Sequence, residues 1–533
     1  VVADLSRICT ARRAAAVALI AAVTACSGPE AGPPAASVRA EEPPQLVPAL
    51  ALPDNAVDNA VAQIDRIASE LMAESGIPGM AVAVVHGGNT VYAKGFGVRD
   101  TRTPDQVDAD TVFQLASLSK PIAASVVAQQ VGSGALGWDT PVIENLPWFA
   151  LSDPAVSRML TVGDLFAHRS GLPDHAGDLL EDLGYDRRAV LERLRFLPLD
   201  RFRNSYAYTN FGVTAAAESV AAAAGMSWED LSEQVLYRPL GMASTSSRFA
   251  DYRARANKAV THVRAPGEAD GAYRPRYTRD PDAQSPAGGV SASVNDVARW
   301  LAMILADGSH GGVAVVPPRA LLPALTPQMV SHPPSEPAER SGFYGYGFNV
   351  VTSSAARMQF SHSGAFALGA ATNFIVIPSA DVAIVALTNA TPVGVAETLT
   401  AEFADLVEFG EVREDWRGLY AEAFAGMGRA VGELAGRQPP AAPAPARPLP
   451  SYAGSYANDY WGPATVTATD GALRLALGPR PEVFALRHWD GDVFVFDVTS
   501  ENAPPGSVSK AVFDGDGLTL EYFDSEKMGT FSR

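Results

Sequence analysis

Apolar residues recur at the spacing of one helix face in "DNAVDNAVAQIDRIASELMAESG". Val57, Val61, Ile64, Ile67 and Leu71 share a side, and Gly76 supplies the stop. The pattern then switches to alternation about Gly87-Gly88 in "GMAVAVVHGGNTVYAKGFGVRD", which predicts a β-hairpin. "FQLASLSKPIAASVVAQQVGSG" reads mostly as a greasy helix, and residues 139 to about 285 read as mainly helical. "SVNDVARWLAMILADG" is a further helix ending at Gly308. Strand patterns return in "YGYGFNV", "RMQFSHSGA", "ATNFIVIPSA" and "DVAIVALTN", and one last helix is expected over about 396–435. This order predicts an α+β fold: an antiparallel sheet flanked by helices, with an inserted helical region. A Pro-rich linker at 436–450 follows. Short alternating runs with turns at Asp470-Gly471, Asp490-Gly491 and Asp516-Gly517 then predict a small all-β barrel or sandwich over 451–533.

Length and charge narrow the reading. A chain of 533 residues calls for more than one domain, and the main body is assigned to 54–435. A net charge of −18 argues against nucleic-acid partners, which need a basic face. At the N-terminus Arg7, Arg12 and Arg13 precede "AAAVALIAAVTA", an apolar run short of the roughly 20 residues that span a bilayer. That is the form of an export signal over 1–25. It ends in "VTAC", which resembles a lipoprotein signal peptidase site. The two cysteines are Cys9 and Cys26, so the exported chain would keep one, as its first residue. Lipidation of Cys26, a Pro/Ala-rich tether over 26–53, and anchorage on the periplasmic side are expected. Ser27 points to the outer membrane if the cell is Gram-negative. The plainer alternative is an ordinary signal peptide with an incidental Cys26.

The greasy helix opens with chemistry. Pro121 is tolerated only in a first helical turn, so the helix starts near Leu118 or Ser119. Ser117 then stands at its N-terminal end, and Lys120, three residues on, lies on the same face with Cβ atoms roughly 5–6 Å apart. A serine with an amine in reach is a nucleophile with its base attached, provided burial keeps the amine neutral. A second Ser-x-x-Lys match, Ser507 to Lys510, leads into a predicted strand, where residues three apart face opposite ways.

Two further stretches extend the pattern: Tyr208-Thr209-Asn210 before an alanine-rich helix, and His362-Ser363-Gly364 on a predicted strand. In this order, with "TVGDLFAHRSGLP" and "SPAGGVSASVNDVARW", the chain resembles the serine β-lactamase and penicillin-binding protein superfamily, in particular its class C β-lactamase-like group. The 451–533 region resembles the lipocalin-like β domain that often follows such hydrolases. The resemblance implies an acyl-enzyme on Ser117 and proton removal by Lys120. It implies Tyr208 as partner base and later acid, and Asn210 as the residue that orients Lys120 and holds a substrate amide or carbonyl. Substrate would lie along His362, Ser363 and Gly364, with the Ser117 and Ala365 N–H groups as oxyanion hole. Many relatives have lysine where His362 stands. A mostly neutral histidine favours esters or amides without a strict carboxylate requirement.

The expected partner is therefore a small-molecule or peptide substrate, with no metal and no cofactor. β-Lactamase, D,D-carboxypeptidase or D-aminopeptidase action on cell-wall type substrates is the alternative. A non-catalytic cell-wall binder using the same cleft is the reading from another class. Tyr456, Tyr460, Trp461 and Trp489 could form a ligand face on the β domain or simply pack its core.

Overall fold

The computed structural model describes residues 50–264 and 271–533; the expected signal segment, Cys26 and most of the tether lie outside the described residues. The sheet of the main body has eight strands. They run Asn89–Gly97, Gly79–His86, Val382–Thr388, Ala370–Ile377, Met358–Phe366, Asn349–Thr352, Gly342–Tyr344 and Met329–His332. Every neighbouring pair is antiparallel. The two central apolar runs are buried on both sides, which explains why they barely alternate. Val82, Val84 and Ile384 face the helices Ile64–Ser75 and Val395–Phe409. Ala83, Val85 and Val385 face the other layer, which holds Val294–Leu305 and the helical region. In that region Ser119–Gly132 and Asn210–Ala224 are buried on nearly every side. The alanines of the second helix allow its neighbours to approach closely.

Three expectations are corrected. The first helix is two pieces, Ala56–Val61 and Ile64–Ser75, separated where Gln63 donates to Ala60 O in a tightened turn. The last helix ends at Phe409, where Gly410 takes φ 76°, a conformation that favours glycine. A shorter helix, Trp416–Phe424, follows, capped by the Asp415 side chain. The run "YGYGFNV" is two strands, because Gly347 turns the chain at φ 80° between them.

The C-terminal part is an eight-strand antiparallel barrel from Gly454–Tyr456 to Thr530–Ser532. It is nearly closed by pairing of Ala457 with Ser532. Tyr456, Tyr460 and Trp461 are each 1% exposed, so they build its core and present no ligand face; Trp489 is partly buried. The Pro-rich linker is laid against the barrel: Ala444 N–H donates to Asp490 Oδ1 and Arg447 N–H to the Tyr452 hydroxyl. The barrel also docks on the helical region. Tyr185 donates its hydroxyl to Trp461 O at 2.8 Å, and both rings belong to one continuous apolar core.

Candidate active site

The site starts at a strained turn. Phe113–Gln114 pairs with Ser291–Ala292, and the chain then bends through Ala116, which is buried with φ 49°. A non-glycine residue there costs roughly 1–2 kcal/mol. Ser119 holds the bend by donating to Ala116 O at 2.6 Å and accepting Val290 N–H at 2.9 Å. The neighbouring serines thus differ in kind: Ser119 is fully buried and bonded to backbone, while Ser117 is partly exposed at the floor of a cleft.

Lys120 is fully buried beside it. Its Nζ lies 3.0 Å from Ser117 Oγ, 2.7 Å from Asn210 Oδ1 and 3.0 Å from Ala287 O. Burial lowers the amine to about 7, against an opposing pull from the Asp178 charge. The Asn210 amide has a settled orientation, because its Nδ2 faces the acceptor-only Asp178 Oδ2 at 2.8 Å. Asn210 Oδ1 and Ala287 O can only accept. A neutral amine has two N–H donors and one lone pair, so with both donors committed the lone pair is left for the Ser117 hydroxyl.

Tyr208 closes the other side, with its hydroxyl 2.8 Å from Ser117 Oγ. Burial raises this phenol well above its ordinary value, so it keeps its proton. The segment is fixed by backbone: Tyr208 N–H donates to Asp174 Oδ1, Tyr208 O accepts His175 N–H, and Thr209 N–H donates to His168 Nδ1.

The Met358–Phe366 strand forms a further wall. Its partner strand pairs with it only as far as Ser361, which leaves residues 362–366 without a strand on that edge. Ser363 and Ala365 line the cleft. Two predicted roles change here. His362 is 1% exposed and does not line the cleft. Its Nδ1 donates to Ser363 O, and its Nε2 accepts from the Tyr344 hydroxyl at 2.8 Å. Burial, with the Lys120 charge, lowers it to about 3, so it is a neutral support behind Tyr208 rather than a substrate contact. Gly364 does not offer a flat surface to substrate either. A Cβ there would sit 2.2 Å from Leu115 O and 2.3 Å from Thr372 Oγ1, so glycine lets this strand press against the Ser117 turn.

The cleft measures about 260 Å³. Sequence reasoning missed several of its parts: Asp178, His175, Arg279 and the barrel's Glu501 all line it. His175 Nδ1 lies 2.8 Å from Asp178 Oδ2, extending the line that runs from Lys120 through Asn210. Ala287 contributes a carbonyl, which carries no side-chain signature. Conversely, the second Ser-x-x-Lys match is structural: Ser507 Oγ bonds backbone and Lys510 pairs with Glu433. Among the described residues no group of three or more His, Cys, Asp or Glu is arranged to hold a metal ion.

The β-lactamase family profile matches residues 64–408, and that of a domain of unknown function (DUF3471) matches 438–522. Unguisins hydrolase ungD of Aspergillus violaceofuscus is 27% identical over 464 residues, covering 79% of each chain. Penicillin-binding protein 4 of Amycolatopsis lactamdurans is 32% identical over 248 residues, 45% of this chain and 62% of that one. Among solved structures, the octameric penicillin-binding protein homologue from Pyrococcus abyssi aligns with a TM-score of 0.59 at 19% identity. It covers 86% of this chain and 98% of its own, a likeness of fold. With its fold, its Ser117 cleft and a profile match over most of its length, the chain belongs to the β-lactamase family of serine hydrolases.

Proposed function

We propose that this protein hydrolyses carboxylic esters or amides through an acyl-enzyme on Ser117, in an esterase-like or peptidase-like manner. The observation that carries the reading is the buried Lys120, whose lone pair is directed at the Ser117 hydroxyl by its bonds to Asn210 and Ala287. As Ser117 Oγ attacks the substrate carbonyl carbon, its proton passes to Lys120 Nζ. The developing oxyanion sits between the Ser117 and Ala365 N–H groups; one such donor is worth about 10²–10³ in rate. Tyr208 gives its proton to the departing group and regains one from Lys120. Water then cleaves the acyl-enzyme. A raised phenol value supports the acid role for Tyr208 and leaves the base role to Lys120.

The neutral, buried His362 supports preference for substrates that do not need a fixed cation at that strand. Delivery of the enzyme to a membrane surface by lipid on Cys26 is part of the same proposal, read out by fatty-acid labelling that Cys26→Ser abolishes. The decisive experiment is labelling with a fluorophosphonate and peptide mapping. Label on Ser117, absent in Ser117→Ala, is the expected result. An unlabelled wild-type chain would favour the non-catalytic binder. Turnover of a chromogenic cephalosporin without turnover of short-chain p-nitrophenyl esters would instead favour the β-lactamase reading.

A further inference from the structure

The end of the cleft beyond Ala365 is built from both halves of the chain. Ala367 and Leu368 follow the strand, and their N–H groups point to one spot. A carboxyl group already occupies it: Glu501 Oε1 accepts from Ala367 N at 2.6 Å, and Oε2 accepts from Leu368 N at 3.3 Å. Glu501 belongs to the barrel, in the loop between its strands Val493–Asp497 and Val508–Asp514. Arg279 completes the corner. It is 7% exposed and lines the same cleft as Ser117, with its Nε 4.0 Å from Glu501 Oε2. That Nε has no hydrogen-bond partner, while the opposite end of the guanidinium is held by Glu181.

Two backbone donors and a buried guanidinium make an anion-binding corner of the kind that holds a substrate carboxylate. Here the corner is filled from within the chain. Glu181, Asp182 and Glu501 all act on the one Arg279, and burial raises Glu181 to about 7 and Glu501 to about 8, so the single guanidinium is already matched by the acids around it. A second carboxylate arriving there finds both backbone donors taken and no unmatched positive charge in a buried site, which disfavours such a ligand.

We propose that Glu501 sets the charge selectivity of the cleft. By occupying the Ala367–Leu368–Arg279 corner with its own carboxyl group, it admits acyl groups that are neutral or cationic at that end and turns away those ending in a carboxylate. The inference rests on the serine-hydrolase reading for its kinetic consequence, and it gives the barrel a part in specificity.

The test uses the full chain, with p-nitrophenyl butyrate set against the p-nitrophenyl half-esters of succinic, glutaric and adipic acid. In Glu501→Ala the ratio of kcat/KM for the best half-ester over the butyrate is expected to rise about tenfold or more, mainly through KM. In Glu501→Gln the amide NH2 cannot accept from a backbone N–H, so one donor is freed and the ratio should move the same way. This variant serves if the alanine variant folds poorly. Free glutarate is titrated by calorimetry alongside: wild type should not bind it, and Glu501→Ala should. An unchanged ratio in both variants, or glutarate bound equally by wild type, would overturn the proposal. Failure of the wild-type chain to turn over any ester would instead strike the serine-hydrolase reading, and the glutarate titration would still decide the role of Glu501.

Discussion

The Asn210 side chain stands between Lys120 and Asp178, accepting from the amine at 2.7 Å and donating to the carboxylate at 2.8 Å. One amide therefore couples a buried base to a buried anion. The Asp178 charge favours protonated Lys120, opposing the desolvation that lowers it to about 7. Asp178→Asn removes that charge and keeps an acceptor for Asn210. The acidic limb of kcat/KM, near pH 7 in the wild type, should move to lower pH by up to about one unit. His362→Gln should leave the limb in place, since His362 is neutral down to about 3. A pH–rate profile of the two variants distinguishes these outcomes.

The same amine leaves a thermodynamic trace. Lys120 is held near 7 in the folded chain, against 10.5 as its ordinary value. Between those values the unfolded chain binds the extra proton, so this group makes folding more favourable as pH rises. Relative to Lys120→Met, the wild type should gain about 3 kcal/mol of stability between pH 7 and pH 9.5. Urea unfolding of both proteins at the two pH values measures it; a constant difference would mean that the amine is not depressed.

Tyr208 makes its own prediction through the leaving group. An alkoxide or amine needs a proton to depart, and p-nitrophenolate does not. Tyr208→Phe should therefore cost about 10²–10³ in kcat/KM on an anilide or alkyl ester. The cost on a p-nitrophenyl ester should be smaller. Equal losses on both substrate types would assign Tyr208 to positioning Ser117 instead.

Gly364→Ala forces a Cβ against Leu115 O and Thr372 Oγ1. The strand must retreat from the Ser117 turn, with an expected loss of about 1–3 kcal/mol and slower fluorophosphonate labelling. Gly428→Ala, where a Cβ meets nothing within 4 Å, is the control. Denaturant melts and labelling rates together report the effect.

The candidate residues were legible where chemistry and local pattern coincide. Ser117 and Lys120 declare themselves because Pro121 dates the start of the helix, and Tyr208 and Asn210 because a helix begins at Asn210. Asp178 is 32 residues from Asn210, and Glu501 is 134 from Ala367. No local spacing marks such contacts, since they exist only after the layers pack. His362 was placed on its strand correctly but given the wrong surroundings, because alternation says which residues share a face and not what lies against it. Gly410, by contrast, was a readable helix stop that the apolar run concealed.

The bond from Tyr185 to Trp461, set within one continuous core, bears on how the molecule can be taken apart. Cleaving the polypeptide at 436–450 should not liberate two self-sufficient modules. The fragments would stay associated, and a gene shortened at that point would yield a product with raw apolar surface, prone to clumping.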